Sequence, residues 1–410
     1  MKPLALVVMG LSMVLGAGSV YLLYAYGPRV PKKPKASPAA VRAEVEEAPS
    51  KRVVVYPNSA NPASTLETRE VLQAAPSGVD ARWAALNKQA IQALDAGLDA
   101  KAVELFEQCH TGVPTEAVFT ANLAEALARL GSSEFDRGGA EDEKHAILHM
   151  TRAAELAPDR ADIQRRLAQM KALAKSEEGM WTDESEHFVL TYDGSRGELL
   201  WGSREITMPL ERAYQEFGEL FGFFPVEDGR AKIRVILYKK DGFHDATGIG
   251  HWAGGLFDGA VRVPVENLGR EKETLVRVLR HESAHAFVHE LGGRDVPGWL
   301  NEGLAQRLEC DSMQLAAATL DAARRKLHGA KLIGLKDLSG SLGDQKDAER
   351  IAFAYAQSLA FVGWIERTYG DRVPYEMVAG CKSAQGFDAA FEARTGVKLA
   401  DAFADFEQGL

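Results

Sequence analysis

Two histidines four residues apart constrain this chain more than any other feature. They stand in His281-Glu282-Ser283-Ala284-His285, inside EKETLVRVLRHESAHAFVHEL (271–291), whose apolar spacing predicts a helix stopped by Gly292-Gly293. Residues four apart share one face of a helix, so both imidazoles can meet a single ion about 2.0–2.1 Å from each nitrogen. Glu282 is turned about 100° from His281, where it reaches a water on that ion without ligating it. Sixteen residues separate His285 from Glu302, which falls early in a second predicted helix, WLNEGLAQRLE (299–309), after Pro297-Gly298. Two histidines, one glutamate and a water make a tetrahedral zinc site with one open position. Such an ion lowers the pKa of its water towards about 7, and a free carboxylate can take the proton and hand it to a leaving nitrogen. Any fold that uses these residues together must bring two helices to one point.

The surrounding pattern is mixed. HFVLTYD (187–193) and KIRVILY (232–238) alternate as half-buried strands do, and GELLWGSREITMPLERAYQEFGELFG (197–222) between them predicts one long amphipathic helix. WAGGLFDGAVRVPV (252–265) predicts two short strands joined at Asp258-Gly259, with Pro264 confining the second to an edge or a strand end. The first, near Gly254–Phe257, is either an ordinary hairpin strand or an edge able to pair with an extended peptide.

HESAH (281–285) followed by WLNEGLA (299–305) resembles the gluzincin zinc metallopeptidases, especially the peptidase MA-like domains often found beside tetratricopeptide repeats. The likeness covers about residues 180–410. It implies an α+β fold with a thermolysin-like zincin domain, built from a mixed sheet and active-site helices. It also implies Zn2+ held by His281, His285 and Glu302, with Glu282 as general base and acid. Members of the family hold the oxyanion with a Tyr or His. By resemblance Tyr355, in the apolar helix IAFAYAQSLAFVGWIERTYG (351–370) with Ser358 one turn away, occupies that position; the alternative is a core tyrosine with a satisfied hydroxyl. The aminopeptidase N-like branch usually has eighteen residues between the second His and the Glu and carries a Gly-Ala-Met-Glu-Asn strand. AGGLFDG (253–259) is the nearest analogue and lacks the glutamate, which favours an endopeptidase acting on peptide or protein substrates. An amidase using the same chemistry on a non-protein substrate, or a non-catalytic scaffold with a structural zinc, are the alternatives.

Other residues weigh less. His289 continues the histidine face but lies about 12 Å of helix rise from His281, too far for a tight tetrahedron, which fits a surface or supporting role. His244 and His251 fall in KKDGFHDATGIGHWAGG (239–255), a loop that either rims the cleft or is simply solvated. Asn301 precedes the glutamate ligand and is a candidate to orient it. Cys310 and Cys381 read as small core residues.

The N-terminal half is organised differently. No charge interrupts Pro3–Pro28, and the 23 residues 4–26, almost wholly apolar, reach about 35 Å as a helix, enough for a bilayer core. Residues 1–27 therefore read as a transmembrane anchor, or else a signal peptide, with Tyr21, Tyr24 and Tyr26 at the interface. Family resemblance places the soluble part on the periplasmic or extracytoplasmic side, whereas Arg29, Lys32, Lys33 and Lys35 favour the cytoplasm. Residues 28–80 hold eight of the 16 prolines and read as an extended linker, with VVVY (53–56) a possible added strand. Residues 81–178 resemble tetratricopeptide repeats. Gly97 separates two helices, Ala102 and Phe106 pack across them, and NLAEALARLG (122–131) and AILHMTRAAELAPD (146–159) form a second pair. ADIQRRLAQMKALAK (161–175) caps the array, and about ten residues beyond the usual period are assigned to a loop over 131–143. Such stacks bind protein partners or act as spacers. A net charge of −10 excludes a large nucleic-acid surface, and three separated cysteines exclude a cysteine-based zinc finger.

Overall fold

The computed structural model describes residues 72–227, 231–248, 254–293, 296–340, 342, 348–382 and 386–410. The expected membrane segment 1–27, the linker up to residue 71 and His251 lie outside the described residues. Among the described residues no helix is long and apolar enough to cross a membrane.

Five helices come first: α1 (Ala81–Asp95), α2 (Asp99–Gly112), α3 (Ala117–Asp136), α4 (Ala140–Leu156) and α5 (Ala161–Ser176). Each packs on the next in chain order. Gly97, at φ 73°, makes the turn between α1 and α2 that a side chain would strain. The loop expected over 131–143 is almost entirely helix: α3 continues to Asp136 and α4 starts at Ala140. Gly131 is a helical residue pressed against α4, where a Cβ would stand 2.9 Å from the Ala146 carbonyl oxygen. The acidic run Glu141, Asp142, Glu143 forms the first turn of α4, where carboxylates favour the helix dipole. The extra residues therefore lengthen two helices.

The sheet has strands β1 (Trp181–Glu184), β2 (Phe188–Tyr192), β3 (Ile233–Tyr238), β4 (Leu256–Phe257) and β5 (Val261–Pro264), in the order β1-β2-β3-β5-β4. The two outer pairs are antiparallel, whereas β2, β3 and β5 run parallel, with Leu190 opposite Val235 and Val235 opposite Val261. Pro264 ends β5, the second of the two places open to it, and β4 is an edge strand. α6 (Gly197–Phe221) joins β2 to the segment before β3 as one helix. Half of the loop expected over 239–255 is helical, as α7 (Lys240–Thr247), because Phe243 and Ala246 bury against the first helices.

The strands predicted over 187–193 and 232–238 are more than half-buried. Val235 and Leu237 enter a core shared with α6 and α8 (Leu268–Gly292), while Ile236 and Tyr238 enter a second core built by α1–α5 and α7. The sheet is thus covered on both faces, and the helical region supplies one of its two layers. A buried ionic network crosses that boundary. Arg262 donates to Asp258 at 2.8 Å, to the Tyr238 hydroxyl at 2.8 Å and to Glu177, while Arg234 donates to Glu143 and Glu177. The turn after β4 also meets the turn after α3: a Cβ on Gly138 would lie 1.9 Å from the Gly259 carbonyl oxygen.

Helices complete the other layer: α9 (Gly298–Leu308), α10 (Met313–Leu327), α11 (Leu335–Leu338), α12 (Ala348–Tyr369), α13 (Val373–Gly380), α14 (Gly386–Thr395) and α15 (Leu399–Gln408). α9 lies against both α8 and α12. The whole is a mixed α/β structure, mainly helical, with one small mixed sheet.

Candidate metal centre

α8 begins three residues before the predicted helix, with the Asn267 side chain accepting from the Arg270 amide. Its middle carries His281, Glu282 and His285, all with no exposed surface. α9 brings Glu302, equally buried, to the same point. Glu302 Oε2 stands 3.5 Å from His281 Nε2 and 3.8 Å from His285 Nε2, and one ligand atom from each of the three lies within 4.8 Å of the others. The two imidazoles are nearly perpendicular, at 83°, so their Nε2 atoms face one spot from different directions.

The chemistry of these groups suits a cation. His285 Nδ1 lies 2.8 Å from Asn301 Oδ1, which can only accept, so the proton sits on Nδ1 and the Nε2 lone pair faces Glu302. That Nε2 and both oxygens of Glu282 are buried with no hydrogen-bond partner. Left so, buried polar atoms are costly; beside a divalent cation they are satisfied. Burial, with His281 adding its own repulsion, pulls the His285 imidazole down to about 3. Burial pushes Glu282 up to about 8, with Glu302 and Glu309 adding to it. Glu302 is likewise raised by burial, to about 7, although His281 and the Tyr355 hydroxyl pull it the other way. Burial opposes charge on His281, yet its contacts with Glu302 and Glu309 carry it up to about 9. Burial thus keeps His285 unprotonated, the form in which an imidazole ligates a metal.

Both histidines are oriented from behind. His281 Nδ1 meets Glu309 Oε2 at 3.0 Å. Glu309 follows α9 immediately, seven residues and two turns beyond Glu302, and sequence reasoning missed it; that two-turn spacing is the signal that would have found it. Asn301 orients His285, not the glutamate beside it, because at the start of α9 its carboxamide reaches α8. Arg280, also buried, ties α8 to the end of α9 through Leu308 O at 3.0 Å and Cys310 O at 3.1 Å.

Close helix packing brings in the next residues. Gly303 lets α9 approach α12, since a Cβ there would meet Val362 at 2.5 Å and Ser358 O at 2.7 Å. Gln306 donates to Tyr355 O at 2.9 Å and locks the register between the two helices. Tyr355 is consequently buried beside Glu302. Ser358, by contrast, spends its hydroxyl on Ala354 O within α12. Gly255, just before β4, passes so close to Glu282 that a Cβ would stand 2.8 Å from its Oε1. No periodicity announces that contact.

The remaining candidates lie apart. His289 is half-buried one turn beyond His285, with its ring 5.8 Å from Phe257. His244 lies on α7, edge-on to Phe243. Cys310 and Cys381 are buried free thiols. No family model matches the chain, and no curated protein matches its sequence.

Proposed function

We propose that this protein is a zinc-dependent peptidase of the gluzincin kind, with a thermolysin-like catalytic region over about 180–410 and the apolar segment 1–27 as its membrane anchor. One observation carries the reading: three buried donors from two helices converge on one point, with a fourth, non-converging carboxylate beside them. Tetrahedral zinc with bonds of about 2.0–2.2 Å separates its ligand atoms by about 3.4 Å. The separations of 3.5 and 3.8 Å between Glu302 and the two Nε2 atoms fit that geometry. A zinc ion held there would polarise a substrate carbonyl and acidify a water.

The chain's own groups supply the rest. Glu282, whose proton affinity burial has raised, takes the proton of the attacking water and delivers it to the departing amine nitrogen. Tyr355, buried beside Glu302, donates its hydroxyl to the oxygen on which charge develops. Edge strand β4, lying next to Glu282, aligns an extended peptide backbone by strand addition. A carboxylate held beside the ligands and outside their convergence favours catalysis over a structural zinc, which would not use it.

Elemental mass spectrometry of metal-replete protein and its Glu302→Ala variant tests the site, with one zinc per chain expected in the first and weakened binding in the second. Glu282→Gln should keep zinc and lose about 10²–10⁴-fold in turnover of a fluorescein-labelled unfolded protein. Absence of zinc from well-folded wild type, or full turnover by Glu282→Gln, overturns the proposal.

A further inference from the structure

Two buried asparagines in the helical region have no part in the metal centre. Asn87 on α1 and Asn122 on α3 are almost completely buried, and Asn122 Nδ2 donates to Asn87 Oδ1 at 2.9 Å. The rest of their capacity is spent on one residue of the chain's own N-terminal segment. Asn122 Oδ1 accepts from the Gln73 amide at 3.0 Å, while Asn122 Nδ2 and Asn87 Nδ2 donate to the Gln73 carbonyl at 2.8 and 3.0 Å. Both main-chain groups of Gln73 are held, yet its side chain is exposed. Leu72 beside it packs onto the apolar core of the helical region.

We propose that α1 and α3 form a binding site for an extended polypeptide, read through its main chain, and that the resident occupant is the chain's own segment Leu72–Pro76. A carboxamide that accepts from an N–H and donates to the C=O of the same residue pairs as a neighbouring strand would, and it senses no side chain. Every residue type but proline can occupy the Gln73 position, because proline has no N–H to give. The adjoining subsite takes an apolar side chain, the place of Leu72. The ligand class is therefore an unfolded or extended peptide, and a partner must displace the tether to bind. An intramolecular occupant at millimolar effective concentration weakens an incoming peptide strongly without blocking it. This inference is independent of the peptidase reading, since neither asparagine touches the metal centre.

The test uses the full chain and a fluorescein-labelled peptide copying residues 68–78, TREVLQAAPSG, followed by fluorescence anisotropy. Gln73→Pro in the chain removes the captured amide without touching the helices. It should raise peptide affinity at least tenfold over wild type. Asn122→Ala added to it should abolish that gain. In competition, an unlabelled peptide with Ala at the Gln73 position should displace as well as the parent, and one with Pro there should fail. Equal affinity for wild type and Gln73→Pro, no binding to either, or equal competition by the Ala and Pro peptides overturns the proposal. Should Asn122→Ala lower the melting temperature, Asn87→Ala, which leaves the Asn122 pair with Gln73 intact, should lose only part of the gain; a full retention also refutes it.

Discussion

Replacing Glu309 isolates a group of the candidate metal centre that supports a proposed ligand without being one. Its carboxylate accepts from His281 Nδ1 at 3.0 Å in a site where His281 is fully buried. A hydrogen bond to a charged partner contributes about 1.5–3 kcal/mol and one between neutral groups about 0.5–1.5 kcal/mol. Glu309→Gln keeps an acceptor of the same shape and loses the charge, so about 1–1.5 kcal/mol of support for the imidazole is lost. At about 1.36 kcal/mol per tenfold, zinc affinity should fall about tenfold. Glu309→Leu strands the Nδ1 hydrogen in an apolar setting, and the loss should approach a hundredfold, the upper end for residues that orient a metal-bound histidine. Asn301→Ala breaks a neutral bond to His285 and should cost about three- to tenfold. Arg277, which also holds Glu309, has a side chain 41% exposed and stays hydrated in each variant, so it does not confound the comparison. Competition against a chromophoric zinc chelator at pH 7.5 gives the three affinities, with melting temperatures as the check on folding. Affinities within twofold of wild type for Glu309→Leu, or a larger loss for Asn301→Ala than for Glu309→Leu, refute the reasoning.

Three further outcomes follow from the geometry. On the proposed role, in which its hydroxyl acts on developing charge, Tyr355→Phe should lower kcat about 10²–10³-fold with little change in KM, read from steady-state hydrolysis. Gly255→Ala should retain zinc and lose at least tenfold in kcat, since its methyl displaces the Glu282 carboxylate or Val278, each within 2.9 Å of the new atom. Burial alone would raise the Glu177 carboxyl, but Arg262 and Arg234 outweigh it and hold it below the ordinary range. A depressed carboxyl stabilises the fold above about pH 4.3 and loses that contribution as pH falls through its lower native value. Glu177→Gln should therefore melt well below wild type at pH 7, by about 3 kcal/mol for a broken buried network, and the gap should close towards pH 3. A gap independent of pH would sink the assignment.

What could be read in the sequence was what a single helix decides. The four-residue spacing of His281 and His285, the stop at Gly292-Gly293 and the break at Gly97 are consequences of local geometry, and the chain forms those elements close to the expected bounds. Contacts between helices were out of reach unless spacing betrayed them. Glu309 supports a histidine 28 residues earlier and betrays itself only by standing two turns beyond Glu302, while Gly255 approaches a carboxylate from a separate segment and leaves no period in the sequence. β1 was missed because its residues are nearly all exposed, so it shows no alternation. The loop expected at 131–143 was misjudged because glycine and acidic residues usually break helices. Here Gly131 serves a close approach between helices, and the acids serve the first turn of the next one.

The division into a helical array and a sheet-bearing half, natural from the sequence, does not describe how the apolar residues are spent. Ile236, Tyr238, Phe243, Leu256 and Ala260 belong to the sheet side of the chain but bury against α1–α5. Arg262 is almost fully buried, and one of its carboxylate partners, Glu177, comes from the residue after α5. A fragment starting near residue 180 would expose those apolar side chains and leave Arg262 with the Tyr238 hydroxyl and Asp258 as its one carboxylate, a buried charge with part of its compensation gone. It would also free the turn at Gly259 that α3 holds in place. That turn leads into β4, and β4 follows directly on the contact between Gly255 and Glu282. Such a fragment should be insoluble or lack turnover, whereas a chain beginning before Leu72 should fold. The same Gly259 contact packs the helical region against the turn at the end of β4, so both halves of the chain support the strand that borders Glu282.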